Sequence, residues 1–132
     1  VFLVWHPSRY AETLGRLLER HDAHVWLVNT GWTGGAYGVG TRMKLGHTRA
    51  MVRASLSGAL TGVPMTPDPM FGLSVPKTIR DVPVGLLSPR TTWADPAAYD
   101  AQARTLAQMF AKNFEQFADG VDASVRSAGP RA

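Results

Sequence analysis

Six of the nine prolines in this 132-residue chain fall within residues 63–92, "VPMTPDPMFGLSVPKTIRDVPVGLLSPRTT". Each fixes its own φ and removes a backbone donor, so the stretch forms neither a regular helix nor the interior of a sheet. What remains open to it is a long irregular connection with short extended pieces such as "MFGLSVP". Small domains rarely carry so long a stretch without regular structure, so this one is expected to pack along a larger body.

The flanks are periodic. Residues 1–5 (VFLVW) are a continuous apolar run suited to a buried strand, and His6-Pro7-Ser8 opens a helix with proline at its first position. Tyr10, Leu14, Leu17 and Leu18 then recur at i, i+4, i+7 and i+8 opposite Glu12, Arg16, Glu19 and Arg20, which predicts an amphipathic helix to about His21-Asp22. "HVWLVNT" (24–30) reads as a second buried strand. Strand, helix and strand at this spacing predict an α/β fold with a parallel βαβ unit. "RMKL" (42–45) suits a short strand. A helix follows from Thr48, its N-cap, to Leu60, with Val52, Leu56, Ala59 and Leu60 inward and Gly62 placed to end it. The last helix starts at Asp95-Pro96 and runs to about Ala118, burying Tyr99, Ala103, Leu106, Phe110 and Phe117. Residues 121–132 read as a flexible tail.

Composition narrows the class. Hydrophobic residues make up 45% of the chain, enough for a core. The chain has no cysteine, which removes disulfides and thiolate metal sites. No apolar run approaches the roughly 18–20 residues of a membrane span, and the opening run lacks the basic region of a signal peptide. The chain begins at Val1 in an apparent strand, so a fragment or processed chain is expected. The net charge of +4 and pI near 10.0 suit attraction to phosphate. The cations are scattered and do not interleave with aromatics, which argues against nucleic acid.

The glycines are concentrated where the second strand ends. "TGWTGGAYGVGTRMKLGHTR" (30–49) sets Gly31, Gly34, Gly35, Gly38 and Gly40 just ahead of Arg42, Lys44 and Arg49. In open α/β sheets the carboxyl edge is where ligands bind. Gly35 to Gly40 satisfies G-x-x-x-x-G, but Thr41-Arg42 stands where a P-loop needs Lys-Ser/Thr, so the triphosphate grip and the magnesium hydroxyl are missing. Two readings stay open: a wide turn under Trp32 and Tyr37, or a ligand loop. Arg42, whose fork bridges phosphate oxygens or stacks on a base, favours the second, as do Thr48 and the helix N-terminus behind it. His6, His21, His24 and His47 show no metal-ligand spacing. Asp68, Asp81, Asp95 and Asp100 show no catalytic pairing, and no nucleophile elbow is present. The chain carries no recognisable catalytic or metal residue of its own.

The order of "VWLVNTGWTGGAYGVGTRMKLGHTRAMVRASLSGAL", "DPMFGLSVP" and "LSPRTTWADPAAYDAQARTLAQMFAKNFEQF" closely resembles the C-terminal end of ATP-dependent phosphoenolpyruvate carboxykinases, and "HPSRYAETLGRLLERH" also fits. The resemblance covers residues 1 to about 118. It implies the C-terminal portion of a mixed-sheet, kinase-like nucleotide-binding domain, with residues 1–120 an incomplete part of that ATP-binding domain. It also implies a cytoplasmic enzyme of gluconeogenesis that converts oxaloacetate and ATP to phosphoenolpyruvate, ADP and CO2 with Mg2+ and Mn2+. The P-loop, metal ligands and substrate arginines would lie upstream, in the missing N-terminal part of the same protein. By resemblance, Arg42, Met43 (through its backbone) and Thr48 form the nucleoside side of the ATP site, and the chain alone is inactive. The sequence departs from the family pattern at Thr41, where lysine is common, at Ala36 in place of a frequent proline, and at Gly46-His47. Thr41 removes a cation beside the nucleotide. A stand-alone nucleotide-binding or interaction module without catalysis is the other function these residues allow.

Overall fold

The computed structural model describes residues 4–131. Residues 1–3 of the expected first strand lie outside them, and Val4-Trp5 form a bend. Helix α1 spans Pro7–His21 as the apolar spacing requires. The His6 ring accepts from the Ser8 N–H at its start, and Asp22 ends it in the left-handed region at φ 47°. Arg20 and His21 place cations against the carbonyl end of the helix dipole.

Residues 24–30 join no sheet among the described residues, which corrects the expectation of a parallel βαβ unit. A strand exists only through hydrogen bonds to a neighbour, and here the pairing is made a few residues later. Strands β1 (Trp32–Thr33) and β2 (Thr41–Arg42) pair antiparallel, Trp32 opposite Arg42 and Thr33 opposite Thr41. The strand expected at 42–45 therefore sits one residue earlier and is shorter. Helix α2 follows over Leu45–Leu56, three residues ahead of the expected start. It ends at Ser57 because Gly58 adopts φ 73°, so Gly58 stops the helix ahead of Gly62. The inward face shifts with it: Ala54 and Leu60 are buried, whereas Val52 and Leu56 are exposed.

The proline-rich stretch is irregular, as its chemistry demands, and holds one short hairpin. Strands β3 (Met65–Pro67) and β4 (Ser74–Pro76) pair antiparallel, and the Asp68 carboxylate accepts from the Met70 and Phe71 N–H groups at 2.9 and 2.7 Å to set the turn. Two 3-10 turns, Val84–Leu87 and Pro89–Thr92, lead to helix α3 (Pro96–Phe114). Asp95 caps α3 as expected, accepting from the Ala97 N–H at 2.8 Å. A 3-10 turn continues α3 to Phe117. Of its anticipated apolar face, Ala103 is buried and is joined by Ala107, but Leu106 and Phe110 are exposed. Helix α4 (Ala123–Ser127) lies in the final segment, and the Arg131 N–H donates to the Met70 carbonyl at 2.7 Å.

Burial is sparse. Among the described residues only Ala54, Leu60, Val82, Ala103 and Ala107 are buried. The chain exposes 10282 Å², where a compact protein of 14.3 kDa would expose about 6,800 Å². Residues 24–29 line a cleft of about 760 Å³ together with Trp32, Met51, Phe71, Trp93 and Leu106. No helix among the described residues is long and apolar enough to cross a membrane.

Candidate functional site

The glycine-rich stretch is a hairpin loop whose neck is closed by backbone contact. A side chain on Gly40 would sit 2.6 Å from the Gly35 carbonyl and 2.7 Å from the Thr33 carbonyl, and one on Gly35 would sit 2.8 Å from the Gly40 nitrogen. The two outer glycines of the G-x-x-x-x-G pattern are thus required because the strands pinch together there. Within the loop, the Val39 and Gly40 N–H groups both donate to the Ala36 carbonyl, at 3.0 and 2.9 Å. The Gly34 N–H donates to the Thr92 hydroxyl at 3.1 Å. Three of the loop's N–H groups, those of Gly34, Val39 and Gly40, are thus used internally. Trp32 and Tyr37 pack edge to face over the turn, with centroids 5.5 Å apart.

Behind the neck the hairpin delivers its cations and then becomes a helix. Arg42 closes β2 opposite Trp32, is exposed, and makes no ion pair among the described residues. The Met43 N–H donates to the Gly31 carbonyl at 2.9 Å, extending the hairpin by one bond, while no group among the described residues donates to the Met43 carbonyl. The Lys44 carbonyl takes the N–H groups of His47 and Thr48, so α2 starts directly after the hairpin. This corrects the reading of Thr48 as an N-cap. The cap residue is Lys44, which makes no side-chain capping bond, and the first turn contains no acidic residue. The leading N–H groups of α2 are left without a side-chain acceptor.

Thr48 occupies the fourth position of α2 and is half-buried. The other serine and threonine hydroxyls of α1, α2 and α3 are all bonded: Ser8 to His6, and Thr13, Ser55 and Thr105 to the carbonyl four residues back. Within that serine and threonine set, the Thr48 hydroxyl alone has no partner among the described residues. Arg42, the Met43 carbonyl and the Thr48 hydroxyl therefore come from seven consecutive residues and share one property, an unused hydrogen-bonding group. His47, next to them, ties α2 to the proline-rich stretch through its Nδ1, 3.1 Å from the carbonyl of Asp81. Asp81 itself sits at φ 64°.

A second layer holds the hairpin in place. The 3-10 turn Pro89–Thr92 is fixed to α3 by a two-pronged ion pair, Arg90 Nε to Asp100 Oδ1 at 2.8 Å and Nη2 to Oδ2 at 3.0 Å. The guanidinium holds the Asp100 carboxyl below its usual range, and the carboxylate raises Arg90 in turn. Beside it Tyr99, pushed up by partial burial, packs edge to face on Trp93 at 5.7 Å. Among the described residues no three His, Asp or Glu side chains are grouped to hold a metal ion.

Comparison with known proteins decides the lineage of this hairpin. The family model for phosphoenolpyruvate carboxykinase matches residues 1–85. The chain belongs to the ATP-dependent phosphoenolpyruvate carboxykinase family. It is 56% identical over 129 residues to phosphoenolpyruvate carboxykinase (ATP) 1 of Salinibacter ruber, covering 98% of this chain and 24% of that protein. It is 55% identical over 130 residues to phosphoenolpyruvate carboxykinase (ATP) of Thermus thermophilus, covering 98% of this chain and 25% of the relative. The chain thus spans about a quarter of the length of the carboxykinases it matches. The glycine-rich hairpin and the first two helices fall inside the region that the carboxykinase family model matches.

Proposed function

We propose that this chain is the nucleoside-facing part of an ATP-dependent phosphoenolpyruvate carboxykinase. Its kinase-like nucleotide-binding domain would be completed by the remainder of the same protein. The intact enzyme would convert oxaloacetate and ATP to phosphoenolpyruvate, ADP and CO2, in the cytoplasm and in the direction of gluconeogenesis. The observation that carries the reading is the half-buried Thr48 hydroxyl, unpaired where the other serine and threonine hydroxyls of α1, α2 and α3 are bonded. It lies a turn inside a helix start that has no side-chain cap.

Each group then has a role set by its chemistry. The Arg42 guanidinium is flat and permanently charged, suited to stacking on a base or bridging phosphate oxygens. The Met43 carbonyl can only accept, so it selects a base edge that presents an N–H, as the amino group of adenine does. The Thr48 hydroxyl both donates and accepts, which fits a ribose hydroxyl. The hairpin does not grip the triphosphate, because Thr41-Arg42 stands where a P-loop places Lys-Ser/Thr and the N–H groups of Gly34, Val39 and Gly40 are already bonded within the chain. The Mg2+ and Mn2+ of the family chemistry, and the phosphoryl transfer with them, would belong to the remainder of the protein.

Two measurements test the reading. In the intact enzyme, Arg42→Ala is expected to raise the KM for ATP and leave that for oxaloacetate nearly unchanged. The loss corresponds to a charged or stacking contact of about 1–3 kcal/mol. An unchanged ATP dependence would make Arg42 a surface cation. The 132-residue chain alone should form no phosphoenolpyruvate, and detectable turnover by it would overturn the division of labour.

A further inference from the structure

The hydroxyl of Thr92 is saturated. It donates to the Pro89 carbonyl at 2.7 Å and accepts from the Gly34 N–H at 3.1 Å and the Thr33 hydroxyl at 3.3 Å. One donor and two lone pairs are all a hydroxyl has, and each is used. Among the described residues, these two bonds from Thr33 and Gly34 are the only hydrogen bonds that tie residues 31–43 to any part of the chain beyond α2. The approach is close on the backbone side as well. Gly34 adopts φ 77°, and a side chain there would lie 3.3 Å from the Thr92 carbonyl.

The two bonds land on the strand that sets the candidate site. Thr33 belongs to β1, Trp32 of β1 faces Arg42, and the Gly31 carbonyl holds the Met43 N–H. Moving β1 therefore moves Arg42 and the Met43 carbonyl together. Thr92, in turn, is anchored from the far side. Its own turn is clamped to α3 by Arg90 and Asp100, and Thr91 donates to the Ser88 carbonyl at 2.8 Å. We infer that Thr92 is a positioning residue for nucleoside binding, fixing the hairpin that carries Arg42 and Met43 to the start of α3 without touching the nucleotide. The inference rests on the nucleoside-side reading of those two residues.

The test uses the intact enzyme and four variants. Thr92→Val keeps the shape and removes all three bonds, while Thr92→Ser keeps the hydroxyl. Thr92→Val is expected to raise the KM for ATP about five- to tenfold, as the loss of one or two hydrogen bonds implies. The maximal rate should stay within about twofold, and amide exchange in residues 31–43 should quicken by a similar factor. Thr92→Ser should restore both readouts. Should Thr92→Val fail to fold, Thr33→Val removes one of the two links from the other side and should show a smaller shift in the same direction. Arg42→Ala serves as the reference, expected to raise the KM for ATP without changing exchange. If Arg42→Ala raises the KM and neither valine variant does, the positioning role is overturned and the nucleoside reading stands. If Arg42→Ala leaves the KM unchanged, the nucleoside reading falls and the positioning role falls with it.

Discussion

The pinched neck of the hairpin makes a graded demand on its glycines, and the grades can be worked out position by position. At Gly40 the φ is ordinary, so the requirement is one of space. A methyl group there meets the Gly35 carbonyl at 2.6 Å, the Thr33 carbonyl at 2.7 Å and the Gly35 nitrogen at 3.0 Å. All three are backbone atoms that no rotamer change can move aside. Overpacking of this kind costs about 1–3 kcal/mol, and with three fixed neighbours Gly40→Ala belongs near the top of that range. At Gly38 the situation is reversed. Its φ is 85° and nothing lies within 4 Å, so Gly38→Ala costs only the left-handed strain of roughly 1–2 kcal/mol. Asparagine tolerates the left-handed region, so Gly38→Asn should be nearly silent while Gly40→Asn should be as damaging as alanine. Amide exchange across residues 33–42 of the intact enzyme reads these costs directly, since every 1.4 kcal/mol is about tenfold in opening. Gly40→Ala should speed exchange by about a hundredfold and Gly38→Ala by about tenfold. Equal acceleration at the two positions, or relief of Gly40 by asparagine, would refute the account of why glycine stands there.

Other perturbations bear on the supports of the site. Asp100→Asn should remove the clamp on the 89–92 turn and flatten the acid limb of stability. The Asp100 carboxyl is held below its ordinary value of 3.8 by Arg90, so the ion pair contributes fully above that value and is lost as pH falls through the lowered one. Melting curves of the two proteins between about pH 2 and 6 should therefore converge at the acid end and separate above about pH 4. Ala107 has 0% exposure inside α3, so Ala107→Leu should destabilise by about 1–3 kcal/mol in a urea titration, while Met109→Leu, at an exposed position, should not.

The helices were legible because their signals are local. Pro7, the leucine spacing and the basic final turn fix α1, and Asp95-Pro96 fixes the start of α3 with a bond between neighbours. The start of α2 was misread for a physical reason. Thr48 is a good capping residue, but the bond from Met43 to Gly31 carries the hairpin up to the point where the Lys44 carbonyl can begin the helix, and that pairing is not visible in the local sequence. Residues 24–30 show the opposite failure. Their apolar run reads as a strand, yet among the described residues they pair in no ladder and residues 24–29 line a cleft. The P-loop was excluded from Thr41-Arg42 alone, and the structure adds that the same glycine spacing closes a neck. Thr92 gave no signal at all, since its partners lie 58 and 59 residues away. Only a fold can bring a threonine after a proline turn to a glycine 58 residues earlier in the chain.

The large exposed surface has a thermal consequence. The heat-capacity step of unfolding scales with the apolar area that unfolding newly wets, and it gives a stability curve its curvature and a melt its sharpness. An unfolded chain of 14.3 kDa exposes about 20,700 Å², so a fold that already leaves 10282 Å² in water newly wets only about three quarters of the area that a compact protein of its mass would. Taken alone, these 132 residues should therefore melt with a heat-capacity step about a quarter smaller than a compact protein of the same mass, and with a flatter stability curve. Covering the apolar cleft beside residues 24–29 would enlarge that step and sharpen the transition.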